Sequence, residues 1–89
     1  MEEFVDRDEE YLAWVNRYPQ GFVVNAHKGV SPSNSVLHKA TCNTIKTPMR
    51  THWTTTDYKK ICSVNKKELE EWCESVGDKG MRSCKFCNP

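Results

Sequence analysis

The sequence predicts a small α+β fold: a short antiparallel sheet with two helices, stapled by a metal. Three observations carry this. Two segments repeat apolar residues at three- and four-residue spacing, and short β-rich runs lie between them. The chain has 89 residues, so it buries only about 60–65% of the surface its unfolded form exposes, and a core that thin needs reinforcement. Two pairs of metal-ligand residues, His38 with Cys42 and Cys84 with Cys87, lie far apart in the chain. The single domain is expected to span 1–89, with an acidic N-terminal helix in 1–20 and a zinc module in 21–89.

The first helix is expected over residues 6–18. Asp6 or Asp8 serves as its cap, and acids crowd its first turn, where the helix dipole favours them. Tyr11, Trp14, Val15 and Tyr18 form its apolar stripe, and Pro19 stops it. Strands are expected at 22–26 and 35–38, the second delivering His38, with a Gly/Pro/Ser/Asn loop between them. Residues 41–57 have no clean period and read as loop. Tyr58-Lys59-Lys60-Ile61-Cys62 alternates as a half-buried strand does. Ser63 or Asn65 then caps a second helix whose stripe is Leu69, Trp72, Cys73 and Val76, ended by Gly77 and Gly80. The tail from Met81 is too short for an element of its own.

Composition excludes several classes. Hydrophobic residues are 37% and aromatics 10%, too many for a disordered chain. No apolar run is long enough to span a membrane. The acidic start, Met1-Glu2-Glu3-Phe4-Val5-Asp6, lacks the basic and apolar regions of a signal peptide, so a cytoplasmic location is expected. The five cysteines are an odd number and would stay reduced there, which favours metal over disulfides.

Cys84-Lys85-Phe86-Cys87 is the sharpest motif. Two intervening residues let a tight turn bring both sulfurs to one tetrahedral zinc. A redox pair of the same spacing would open a helix, and only two residues follow Cys87. His38 and Cys42 have three residues between them, also an accepted ligand spacing. The expected ligands are therefore His38, Cys42, Cys84 and Cys87. Cys62 is the alternative to His38. Cys73 falls in the helical stripe and reads as a buried thiol. His27 and His52 read as surface residues.

Charge is uneven. Residues 1–20 carry a net −4 and residues 39–60 a net +4, within a total of +1. Lys39, Lys46, Arg50, Trp53, Lys59 and Lys60 are the expected nucleic-acid contacts, the cations on phosphates and the tryptophan on a base. His52 and Tyr58 lie in the same stretch. The competing expectation is a protein partner, met by the acidic first helix. No nucleophile–base–orienter set and no glycine-rich phosphate loop is present, so no enzyme is expected.

His38-x-x-x-Cys42, a strand ending near Cys62, a helix around Leu69-Glu70-Glu71-Trp72 and the tail Gly80-Met81-Arg82-Ser83-Cys84-Lys85-Phe86-Cys87-Asn88-Pro89 together resemble the Ada-type zinc-binding domain of the DNA-alkylation response. That family closes with Gly-x-Arg-x-Cys-Lys-x-Cys-x-Pro, and the likeness covers roughly residues 21–89. It implies a compact zinc domain with a DNA-facing surface, and it implies a DNA phosphotriester methyl acceptor as an alternative activity. The family's acceptor is its first motif cysteine. Here that position is His38, so the methyl transfer is not expected to carry over. The segment between Cys42 and Cys84 is longer than the family's, and the module is expected to stand alone.

Overall fold

The computed structural model describes residues 1–28, 35–45, 52–76 and 81–89. In chain order these form strand β1 (Glu2–Phe4), helix α1 (Asp8–Arg17), strands β2 (Phe22–His27) and β3 (Val36–Lys39), a 3-10 turn (Asn43–Ile45), strand β4 (Tyr58–Ser63), helix α2 (Lys66–Ser75) and strand β5 (Arg82–Ser83). The α+β class and both helices match the expectation. The sheet is larger than expected: it has five strands in the order β1-β4-β2-β3-β5. It is also mixed. β1, β4, β2 and β3 pair antiparallel, while β5 runs parallel to β3. The tail expected to hold no element thus supplies an edge strand.

The pleat divides the core in two. Val23, His38, Lys60, Cys62 and Phe4 share one face through the registers Val23↔His38, Val23↔Cys62 and Phe4↔Lys60. Helix α1 packs on that side, with Tyr11 and Val15 buried against Phe4, Val23 and Cys62. Val24, Ala26, Leu37 and Ile61 face the other way, onto Leu69, Trp72 and Cys73 of α2. Burying Leu69 there contributes about 1.5–3 kcal/mol. Trp14 and Tyr18 turn out half-buried and pack on each other, with ring centroids 5.1 Å apart. Gly21 lies beneath Trp14: a Cβ there would sit 2.6 Å from the indole Cη2, so only glycine allows the approach. No helix among the described residues is long and apolar enough to cross a membrane.

Asn65 caps α2 as expected, its side chain accepting from the Lys67 amide at 3.0 Å. Val76 ends that helix and is exposed, and the glycines expected to stop it, Gly77 and Gly80, lie outside the described residues. The start of α1 differs from expectation. Neither Asp6 nor Asp8 caps it. Asp6 takes a left-handed φ of 54°, Arg7 occupies the cap position, and the Arg7 amide donates to Thr54 Oγ1 at 2.7 Å. Asp8 instead reaches the loop before β4. Its carboxylate accepts from the amides of Trp53 and Thr54 and from the hydroxyls of Thr54 and Thr55. Asp8 is taken up by these tertiary partners, which local spacing could not show.

Burial works to raise the Asp8 pKa, but the hydrogen bonds from Thr54, Thr55 and Trp53 outweigh it, and the carboxyl titrates below its ordinary 3.8. A depressed carboxyl contributes stability above its unfolded pKa and loses it as pH falls through the folded value. Asp8→Asn should therefore cost about 1–2 kcal/mol, discounted for partial exposure. Melting curves of wild type and variant should differ by about 4–16 °C. The gap should stay constant from pH 5 to pH 8, because the carboxyl is ionised throughout. A gap that closes between pH 8 and pH 5 would contradict the assignment.

Candidate metal centre

Four side chains converge where β3 and β5 end. His38 lies on β3, on the α1 side of the sheet. Past Lys39 the chain turns, the Cys42 amide donating to the Lys39 carbonyl at 3.0 Å, and Cys42 leads into the 3-10 turn. The parallel register Leu37↔Ser83 brings the next residues, His38 and Cys84, side by side, and the Cys84 amide donates to the Leu37 carbonyl at 2.9 Å. From Cys84 the chain makes a tight turn. The Asn88 amide closes it onto the Cys84 carbonyl at 3.1 Å, with Asn88 at φ 49°, a region asparagine tolerates.

The result is one ligand atom from each of His38, Cys42, Cys84 and Cys87, all within 4.8 Å of one another. Cys42 Sγ and Cys84 Sγ are 3.8 Å apart. Metal–sulfur bonds of about 2.3 Å in tetrahedral geometry need a separation of about 3.8 Å. The four expected ligands are thus brought together and could hold one metal ion. Cys62, the alternative to His38, is fully buried in the α1-side core and is not in the cluster. Cys73 is a buried thiol against Met81, as its stripe position implied.

The surroundings suit ligation. Burial, then the Lys60 charge, pulls the His38 pKa down to about 4, so the imidazole is neutral at pH 7 with a lone pair to give. At Cys84 burial favours the thiol, yet hydrogen bonds from the Cys87 and Phe86 amides and from neighbouring thiols bring its pKa down. Cys87 is pushed up to about 11, first by burial; the Lys39 amide, 3.2 Å from its sulfur, works the other way. The neighbouring Cys42 sulfur also opposes ionisation of Cys87, and a cation among the sulfurs would offset that repulsion. Thr44 was not foreseen. Its hydroxyl is 2.9 Å from Cys42 Sγ and 3.3 Å from His38 Nδ1, so it orients two ligands at once. A threonine two residues after a ligand cysteine was the one available signal.

Among the described residues, the expected nucleic-acid contacts do not form one exposed surface. Trp53 is buried against Tyr11, ring centroids 6.0 Å apart, and cannot stack on a base. Lys60 is also fully buried. Its ammonium donates to Asn25 Oδ1 at 2.6 Å and to the Trp53 carbonyl at 2.9 Å, so it cannot reach a phosphate. Both expectations are corrected. Lys59 is half-buried over Trp72 and pairs with Glu3 at 3.0 Å. Lys39 is exposed. Lys46 and Arg50 lie outside the described residues. Of the other aromatic and imidazole groups, Tyr58 is exposed with its ring edge-on to the exposed His27, and the exposed His52 is 3.1 Å from the Thr55 hydroxyl.

No family model, curated protein or solved structure matches the chain.

Because the ligands tie the middle of the chain to its tail, bound metal becomes folding free energy. Cys84→Ser or Cys87→Ser should lose metal and cooperative unfolding together. Cys73→Ala should keep the metal and lose only the packing of one small buried side chain. Metal content and circular dichroism on the same samples check this. Metal retained by Cys84→Ser but lost from Cys73→Ala would overturn the ligand assignment.

Proposed function

We propose that the chain is a structural zinc module that contacts nucleic acid without catalysing a reaction. The convergence of three thiols and one imidazole carries the zinc reading. Thiolate with imidazole is a zinc donor set, and harder ions such as magnesium or calcium take oxygen instead. Four protein ligands fill a tetrahedral zinc and leave no position for substrate, which is the pattern of a structural site. Cys62 offers no alternative nucleophile, since burial pushes its thiol pKa far up.

The nucleic-acid part rests on the motif likeness to the Ada-type tail and on the charge split along the chain. The expected contact set has lost Trp53 and Lys60 to the core, so the contact falls to exposed cations, Lys39 among them. The reading of a protein-interaction adaptor has one observation in its favour: Glu9 and Glu10 are exposed on α1, a face that repels phosphate. The two readings separate by binding of labelled DNA and RNA at low salt. Retention that weakens as salt rises, and is unchanged or slightly stronger when Glu9 and Glu10 become Gln, supports the first. No binding to either nucleic acid at low salt overturns it and leaves the adaptor.

Methyl transfer from a DNA phosphotriester needs a zinc-activated thiolate where this chain has His38. Incubation with methyl-phosphotriester DNA should leave the mass of the zinc-loaded protein unchanged. A stoichiometric gain of one methyl group, on Cys42 or any other residue, would restore the alternative.

A further inference from the structure

Phe86 is 84% exposed, the most exposed large hydrophobic side chain among the described residues. It sits inside the ligand turn, between Cys84 and Cys87, and its amide donates to Cys84 Sγ at 3.4 Å. The backbone beneath this ring is therefore held while the ring itself meets water. The turn thus fixes where this ring is presented to a partner.

The surroundings say what would cover it. Phe86 lines the outer wall of a groove with Val36, Thr44, Arg82 and Lys85, above the ligand candidates His38 and Cys84, and among the described residues no acidic side chain lines it. Arg82 and Lys85 are exposed, and neither forms an ion pair among the described residues. Lys39 is exposed on the neighbouring strand, its amide bonded to Cys87 Sγ. The sheet order adds direction. β5 forms one edge and β1 the other, so Glu2 and Glu3 on β1 lie across the sheet from Arg82. The molecule offers an anionic partner its β5 edge.

We propose that this groove binds single-stranded nucleic acid, with an unpaired base stacked on Phe86 and flanking phosphates on Arg82, Lys85 and Lys39. The inference rests on the nucleic-acid reading above and gives it a site and a strand class. A base inside a duplex has both faces covered by its neighbours, so a lone exposed ring can stack only on a base that is already free. Three cations with one aromatic favour a short unpaired stretch over a duplex groove.

The test uses the zinc-loaded chain, a fluorescent oligothymidylate and a matched duplex, with anisotropy read across salt concentration. The single strand should bind more tightly than the duplex. Phe86→Ala should weaken it about fivefold to hundredfold, the effect of about 1–3 kcal/mol of stacking per base. Phe86→Trp should restore it. Arg82→Ala and Lys85→Ala should each reduce the magnitude of the log–log salt slope by about 0.7. Zinc content and circular dichroism should be unchanged in all four variants, since these side chains are exposed or partly so. Single-strand binding that ignores Phe86, or a duplex bound as tightly as the single strand, overturns this site while leaving nucleic-acid contact intact. Equal Phe86-dependent binding to phosphatidylserine vesicles overturns it in favour of an anionic membrane surface. Absence of binding to any nucleic acid removes both this inference and the reading beneath it.

Discussion

Everything in this fold depends on closing the chain between Cys42 and Cys84. A two-residue strand at a sheet edge has too few hydrogen bonds to hold the tail by itself. The β3–β5 pairing and the His38, Cys42, Cys84 and Cys87 cluster work together: the parallel register sets Cys84 beside His38, and an ion bound by the four would hold that register. Closing a loop of this length has an entropy cost that grows only slowly with length, and metal–ligand bonds offset it readily. The α1-side core ends against the same residues, because Cys42 and Cys84 are themselves buried members of it. Loss of an ion bound there would therefore loosen a core as well as a tail.

The four-residue cluster was legible because its signal is local: two pairs, each with its own chelating spacing. So were both helices and the three central strands, where the apolar period is sustained. What was not legible came from distance. β1 and β5 have three and two residues, too few for any period to show. The alternation through Tyr58–Cys62 put Lys60 and Tyr58 on one face correctly. It could not say that α1 and the Trp53 loop cover that face at Lys60 and leave Tyr58 at its margin. A lysine is expected outside, but here Asn25 and the Trp53 carbonyl satisfy its ammonium, and burial of the stem follows. Asp8 was read as a cap because it stands at a helix start, yet its partners are some 45 residues away.

The first twenty residues are built into the same body. β1 adds to β4, and Tyr11 fills the space above it, its hydroxyl donating to the Ile45 carbonyl at 2.9 Å beside the ligand turn. The acidic segment therefore supplies the β1 edge and covers one face of the sheet up to the ligand turn, while Arg82, Lys85 and Phe86 lie at the β5 edge and just beyond it. One edge carries acids and the other carries cations around an exposed aromatic. That polarity follows from strand order, which places residues near 2 and near 82 at opposite ends of the sheet.

The measurement that tests the account most directly is elemental analysis of the purified chain, followed by chelator titration with circular dichroism and thiol counting at each step. The account predicts one zinc per chain, with the thiols of Cys42, Cys84 and Cys87 becoming reactive as zinc leaves and the fold lost in the same transition. A chain that carries no zinc and keeps its spectrum unchanged in excess chelator would contradict it.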